Sequence, residues 1–421
     1  MNAEILAFGS ELVNGQKLDT NSQWLAGRLG DHGIEVRFHT TVGDVLEDTL
    51  AALRIALGRA HLVITTGGLG PTQDDLTRQA LAEVAGVPLI EDLEALRAIE
   101  GFFARRNRVM TERNRVQALF PRGADPLPNR VGTAPGIWMA LDRSIVVCLP
   151  GVPHELHQMF EEEVLPRLRR IGAVRRIFAH RVINLFGKGE SEIEQHALDL
   201  TSRGRIPEVG ITASDATISF RITAEGPNET EALRAIEPTA EQIYQRFGEL
   251  IVGEGNTDVA ESLAAQLERT GLSLATAESC TGGLIAHRLT SIPGISAWYR
   301  GGMVTYAESA KTELLGISPE LIRTHGVVSA EVAQAMADGV RRRLSADVGI
   351  GVTGVAGPGP DTHGNPAGLV YLGLATPEGV TTRKLEIGPE QPRHVIQSRA
   401  AKSAMNLARL DLSRRPGRTQ S

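Results

Sequence analysis

Short apolar runs alternate along the chain with longer stretches in which apolar residues recur every three or four positions. Ile5-Leu6-Ala7-Phe8 has the length of a strand, and from about Asn21 to Leu29 the residues Trp24, Leu25 and Leu29 fall at helical spacing. Val36 to Val42 reads as a second strand, closed by Gly43-Asp44, and a helix after Glu47 leads to the apolar strand Leu62-Val63-Ile64-Thr65. Ile145 to Leu149 is another strand-like run, with Cys148 expected in the core. Strands alternating with helices over residues 1–170 predict a mostly parallel, wound sheet.

The pattern changes between 171 and 252. Arg175 to Leu185 reads as a strand and Glu190 to Leu200 as a helix; Asp215 to Thr223 alternates, with Ile218, Phe220 and Ile222 on one face, and Glu229 to Phe247 is a longer helix. These elements predict a small α+β module. Residues 253–257 form a polar break, after which the amphipathic helix Val259 to Arg269 opens a second α/β domain over 253–412. The polar, basic residues 413–421 are expected to fray. The fold class is therefore α/β, in three domains.

Composition narrows the partners. With 421 residues there is room for several cores, and a net charge of -6 gives no electrostatic footprint for duplex nucleic acid. Gly187-Lys188-Gly189-Glu190-Ser191 sits where a nucleic-acid loop could lie, but Glu190, Glu192 and Glu194 oppose phosphate. The middle module is read as a spacer or assembly domain, without direct nucleic-acid binding. Only Cys148 and Cys280 are present, which fits a reducing compartment. The first residues lack a basic n-region and no apolar run reaches the length of a membrane span, so a cytoplasmic protein is expected.

The densest chemistry lies in Ala275-Thr276-Ala277-Glu278-Ser279-Cys280-Thr281-Gly282-Gly283. Small hydroxyl residues and a glycine pair where a strand passes into a helix suit a nucleophile whose oxyanion is met by backbone N–H groups. They equally suit a plain helix cap. Two further glycine-rich strand ends follow, Gly301 to Tyr306 with Lys311 beyond it, and Gly349 to Pro358 containing Thr353, Gly354 and Gly357. Ligands collect beyond the carboxyl ends of parallel strands, so the three clusters can converge on one pocket. Ser279 would then be the nucleophile, and Lys311, desolvated and with a lowered pKa, its base. Cys280 is the rival nucleophile. His61, His154, His157 and His287 show no metal-ligand spacing, and Trp298 and Tyr299 either stack on a ring or fill the core.

A second motif, Thr65-Thr66-Gly67-Gly68-Leu69-Gly70-Pro71-Thr72-Gln73-Asp74-Asp75, follows the strand at 62–65. Its glycines allow a phosphate to approach the backbone, and Asp74 and Asp75 could hold a divalent cation against it. The other reading is a Gly-Pro turn with aspartates capping a helix.

Taken together, Thr276 to Gly283, Ser296 to Tyr306 with Lys311, and Val352 to Pro358 resemble the C-terminal domain of the CinA family, the nicotinamide mononucleotide amidohydrolases. The 65–77 motif, Gly43-Asp44, Asn129 to Gly136 and Leu149 to Glu155 resemble that family's N-terminal domain, which is related to the molybdopterin-binding fold; the middle module matches its KH-like domain. The resemblance implies hydrolysis of nicotinamide mononucleotide to nicotinic acid mononucleotide and ammonia, with Ser279 as nucleophile and Lys311 and Tyr306 assisting. It implies substrate contacts from Thr281, Gly282, Gly283, Thr353, Gly354, Gly357 and Arg393, with Arg399 as the alternative arginine. For the N-terminal domain it implies cleavage of ADP-ribose by a metal-dependent pyrophosphatase, the divalent metal on Asp44, Asp74 and Asp75, with Glu11 and Glu155 as weaker ligands and potassium as a further candidate cation. A homodimer is the implied assembly. The alternative function is a non-catalytic role in competence or recombination, through a recombination-protein partner.

Overall fold

The computed structural model describes residues 1–174 and 176–418. Arg175, where the strand of the middle module was expected to begin, and residues 419–421 of the expected tail lie outside the described residues. The chain forms two compact units, Met1–Ala179 with Glu225–Ala235, and His180–Ala224 with Ile236 onward. Among the described residues no helix is long and apolar enough to cross a membrane.

The first unit is built on β1 (Asn2–Phe8), α1 (Thr20–Asp31), β2 (Glu35–Val42), α2 (Leu46–Arg59), β3 (Leu62–Thr66), α3 (Thr77–Ala85), β4 (Asp125–Leu127), β5 (Gly136–Leu141), β6 (Ser144–Leu149) and α4 (Pro153–Met159). Its six-stranded sheet runs β2-β1-β3-β6-β5-β4. The pairs among β2, β1, β3 and β6 are parallel, and β5 and β4 are antiparallel additions. The unbroken apolar character of β1 follows from burial on both faces. Leu6 packs with Leu53, Val63 and Val146 on one side, and Ile5 packs with Leu25, Leu29 and Phe160 on the other. Cys148 is fully buried, as its apolar run predicts.

β7 (Ile177–Phe186), β8 (Glu208–Ser214), β9 (Thr217–Gly226) and β10 (Ile251–Glu254) form a sheet ordered β8-β9-β7-β10, accompanied by α5 (Glu229–Phe247), and most of these residues fall in the second unit. Ile218, Phe220 and Ile222 of β9 are all buried. The helix expected over Glu190 to Leu200 stops at Gln195; the chain continues in tight turns, with Ala197 N–H donating to the Glu194 carbonyl and Leu200 N–H to that of Ala197. These turns keep Ile193, Ala197 and Leu200 buried while Leu198 faces solvent.

The rest of the second unit contains α6 (Val259–Thr270), β11 (Leu274–Glu278), α7 (Leu284–Thr290), β12 (Tyr299–Val304), α8 (Glu308–Leu315), α9 (Ala330–Arg343), β13 (Val348–Gly354), β14 (Leu369–Thr376), β15 (Gly379–Glu386) and α10 (Arg393–Ser413). The sheet order is β12-β11-β13-β14-β15. β12, β11 and β13 are parallel, so their carboxyl ends lie at one edge. α6 is opened by a capping box in which Asp258 and Glu261 satisfy each other's backbone N–H groups. Leu274, Ile350 and Val352 pack with α6 and α10, whereas Ala275 and Ala277 pack with Met336 and Val340 of α9. The glycines of β13 serve that packing: a Cβ on Gly349 would lie 2.1 Å from the carbonyl oxygen of Ala337, and one on Gly351 would lie 2.5 Å from that of Ala333.

Candidate active site

β11 runs through Thr276 to Glu278, past its apolar residues Leu274 and Ala275. Thr276 stays in the strand because its buried hydroxyl is satisfied by the Tyr299 hydroxyl at 2.6 Å, which places Tyr299 in the core. Ser279 therefore stands one residue beyond the strand, not at a helix start. Its N–H donates to the Val352 carbonyl at 3.0 Å, and Thr305 N–H donates to that of Glu278 at 2.8 Å. The ends of the three parallel strands are thus tied together around Ser279.

The turn from Cys280 to Gly283 reverses the chain into α7, with Gly282 at φ 63 and Gly283 at φ 98, a backbone region that side chains other than glycine rarely adopt. Glu278, 1% exposed, accepts N–H donation from Gly283 at 3.1 Å, Ile285 at 3.0 Å and Ala286 at 2.9 Å. A buried carboxylate thus caps α7 and holds the turn, a role that the sequence reading did not give it. The oxyanion site expected from Thr281 to Gly283 shrinks accordingly. Gly283 N–H belongs to Glu278 and Gly282 N–H to the Ser279 carbonyl, at 3.1 Å. Among the described residues, the N–H groups of Cys280 and Thr281 donate to no backbone carbonyl.

Lys311, on α8, is fully buried and brings Nζ to 3.1 Å from Ser279 Oγ, 2.7 Å from the Thr305 carbonyl oxygen and 3.3 Å from that of Tyr306. Burial pushes its pKa below that of an exposed lysine, because the ammonium loses water it cannot replace. A neutral amine can give its two N–H bonds to the two carbonyls and turn its lone pair toward the Ser279 hydroxyl. The site is then arranged for proton removal from Oγ.

Among the described residues, the buried hydroxyls Thr281 Oγ1 and Thr305 Oγ1 have no hydrogen-bond partner. An unpaired buried hydroxyl costs about 1–3 kcal/mol, so both are suited to a polar ligand atom. Tyr306 lies past the end of β12 and is 61% exposed; it supplies its carbonyl to Lys311, and its hydroxyl accepts from Arg393 at 3.0 Å. Arg393, at the first position of α10, also donates to the Gly357 carbonyl at 2.6 Å. Arg399 is elsewhere, lining a different cavity with Arg383.

Several expected contacts prove to be architectural. The Thr353 hydroxyl is used by the Val327 carbonyl at 2.8 Å. A Cβ on Gly354 would come within 2.7 Å of the Leu369 carbonyl oxygen, so this glycine is needed for strand packing. The Cys280 thiol is buried and its pKa pushed up to about 12 by desolvation, which leaves it a poor nucleophile beside Ser279. Gln397 Nε2 donates to the Cys280 carbonyl at 2.9 Å and fixes the turn from α10.

Among the described residues, Asp44, Asp74 and Asp75 are not gathered into one group of carboxylates. Asp75 accepts from Gly70 N–H at 2.7 Å and from the N–H and hydroxyl of Thr72 at 2.8 and 2.5 Å, so both oxygens are used in stapling its own loop. Asp44 accepts from Ser10 N–H at 2.9 Å, and Asp74 is exposed. Glu155 accepts from Asn129 at 2.6 Å and Glu11 pairs with Lys17 at 3.5 Å. Among the described residues no three His, Cys, Asp or Glu side chains come together to hold a metal ion. Asp75, as placed, does not fit a divalent cation.

The fold and site define an α/β protein with a buried serine–lysine pair at the ends of parallel strands, preceded by a wound-sheet unit. The family model described as "CinA C-terminal domain" matches residues 256–412, "Probable molybdopterin binding domain" matches 4–170, and "Damage-inducible protein CinA KH domain" matches 180–253. A competence-damage inducible protein of Halothermothrix orenii is 42% identical over 91% of this chain and 93% of its own length. A CinA-like protein of Dictyoglomus thermophilum is 40% identical over 93% of this chain and 95% of its own. Among solved structures, the CinA protein of Thermoplasma acidophilum is 33% identical, covering 40% of this chain and 96% of that one with a TM-score of 0.37. The chain belongs to the CinA family.

Proposed function

We propose that the second unit hydrolyses the carboxamide of nicotinamide mononucleotide. The observation that carries this reading is Lys311 Nζ at 3.1 Å from Ser279 Oγ, in a buried setting that disfavours the ammonium. In the proposed cycle the neutral amine takes the Ser279 hydroxyl proton as Oγ attacks the carboxamide carbon. The N–H groups of Cys280 and Thr281 receive the oxyanion. Collapse returns the proton from Lys311 to the departing nitrogen and releases ammonia, leaving an ester on Ser279. Water, deprotonated by the same amine, cleaves that ester to give nicotinic acid mononucleotide and restores the serine. Arg393, held by Gly357 and Tyr306, is assigned to the substrate phosphate, since a guanidinium binds phosphate oxygens in pairs.

The alternative, a non-catalytic role in competence, has the names of the relatives in its favour. A protein that only binds a partner has no use for a lysine buried against a serine, which supports the hydrolase. The metal-dependent cleavage of ADP-ribose has no comparable support, because Asp75 is consumed within its own loop. The test is to supply nicotinamide mononucleotide and follow ammonia together with the acid product. Equimolar appearance of both is expected; an unchanged substrate would leave the partner role.

A further inference from the structure

We propose that the second unit also binds a nucleoside monophosphate, in a cavity of about 520 Å³ that includes none of the residues of the Ser279 site. Arg383 of β15 and Arg399 and Asn406 of α10 line it, facing the Gly187-Lys188-Gly189 loop and Glu190.

The charges in this cavity are unevenly spent. Asp215 is already held by Lys402 at 2.9 Å, Arg288 at 3.2 Å and the Ser398 hydroxyl at 2.8 Å. Glu386 is paired with Lys384 at 2.6 Å, and Lys188 with Glu192. Among the described residues Arg383 and Arg399 form no salt bridge, though Arg399 is close enough to Glu390 to help lower that carboxyl's pKa, and Arg399 Nε is buried without an acceptor. A buried N–H of this kind is costly unless a ligand fills it, and guanidinium groups match the paired oxygens of a phosphomonoester. Asn406 is 5% exposed, and its Oδ1 accepts from Arg409 Nε at 2.8 Å, so its remaining polar group is the amide Nδ2, a donor. That nitrogen lies 3.7 Å from where a Cβ on Gly187 would stand, in contact with the loop that lines the cavity.

The other lining groups select the rest of the ligand. Glu190 has no cationic partner among the described residues and can accept from a ribose hydroxyl. Phe186, Ile218, Leu385 and Ile387 provide apolar surface for a base. The volume is in the usual range for small organic ligands, about 300–1,000 Å³, and exceeds what inorganic phosphate needs. The cavity therefore suits a whole nucleotide, and its recognition does not depend on the amide chemistry.

The test is calorimetric titration of the full chain with adenosine 5′-monophosphate. The Arg383→Met/Arg399→Met double variant should bind one equivalent fewer than the wild type, or bind that equivalent at least tenfold more weakly, with ammonia release from nicotinamide mononucleotide unchanged. Asn406→Asp, which sets a carboxylate toward the phosphate, should lose the same equivalent. Superimposable isotherms for the wild type and both variants would overturn the proposal, as would inorganic phosphate filling the site as tightly as the nucleotide.

Discussion

Lys311 Nζ lies 3.1 Å from Ser279 Oγ, although the lysine is on α8 and the serine 32 positions earlier, in the turn after β11. The carbonyls of Thr305 and Tyr306 hold the amine in place, and burial holds its pKa down. If this pair performs the hydrolysis, turnover should rise with pH through the lysine pKa in the complex, because only the neutral amine can take the serine proton. Lys311→Met should lose roughly 10²–10⁴ in kcat, the usual worth of general-base assistance, and its residual rate should lack that limb. A wild-type profile flat across the same range, with chemistry limiting, would remove lysine as the base.

The same shift affects folding. Lys311 is depressed in the native state and titrates near 10.4 when unfolded, so between those values the unfolded chain binds more protons. Wild-type stability should contain a component that rises as pH increases through that window and is complete above the unfolded pKa. In Lys311→Met the component should be missing. Denaturant midpoints of the two proteins, compared from neutral pH upward, should therefore diverge in slope; parallel curves would mean that the native lysine is not depressed.

Glu278 supports the turn through three N–H groups, of which that of Ile285 is buried. Glu278→Ala leaves them without an acceptor, at a cost of roughly 1–3 kcal/mol for each that water cannot reach. Both the thermal midpoint and kcat should fall, because the turn that follows Ser279 loosens. A variant of wild-type stability and turnover would show the cap to be dispensable.

In the first unit, Asp75→Asn should destabilise the Gly70–Thr72 loop, since an amide nitrogen would face backbone donors that a carboxylate accepts from. Asp74→Asn, at an exposed position, should change stability by less than about 0.5 kcal/mol. Calorimetric titration with Mn²⁺ should give the same isotherm for the wild type and for Asp74→Asn. Loss of a metal equivalent on that exposed substitution would restore Asp74 as a ligand.

What the chain reveals before folding is uneven, for physical reasons. The wound sheet, the helix Glu229–Phe247 and the convergence of three strand ends follow from apolar spacing, which survives folding because it decides which faces are buried. Ser279 and Lys311 were legible as a strand-end hydroxyl and a lysine on the next helix. Glu278 was overlooked within the same motif, because an acidic residue five positions ahead of Gly283 signals a cap only once the turn is known. Asp75 carries two readings, cation ligand and turn cap, because a carboxylate three residues after Thr72 suits an Asx-type staple and a cation alike, and its hydrogen bonds place it in the staple. The resemblance favours Arg393 over Arg399, a preference that residue type alone does not supply. On a helix of about 3.6 residues per turn, six positions carry the side chain to another face, and only Arg393 reaches Tyr306 and Gly357.

The most direct test of the Ser279–Lys311 account is ammonia release from nicotinamide mononucleotide by the wild type, Ser279→Ala and Cys280→Ala, measured side by side above neutral pH. The wild type and Cys280→Ala should turn over, since a thiol pushed up to about 12 is no competitor. Ser279→Ala should fall by roughly 10³-fold or more with its fold intact, in line with loss of a nucleophile. Undiminished release by folded Ser279→Ala, or its disappearance in Cys280→Ala alone, would contradict the account.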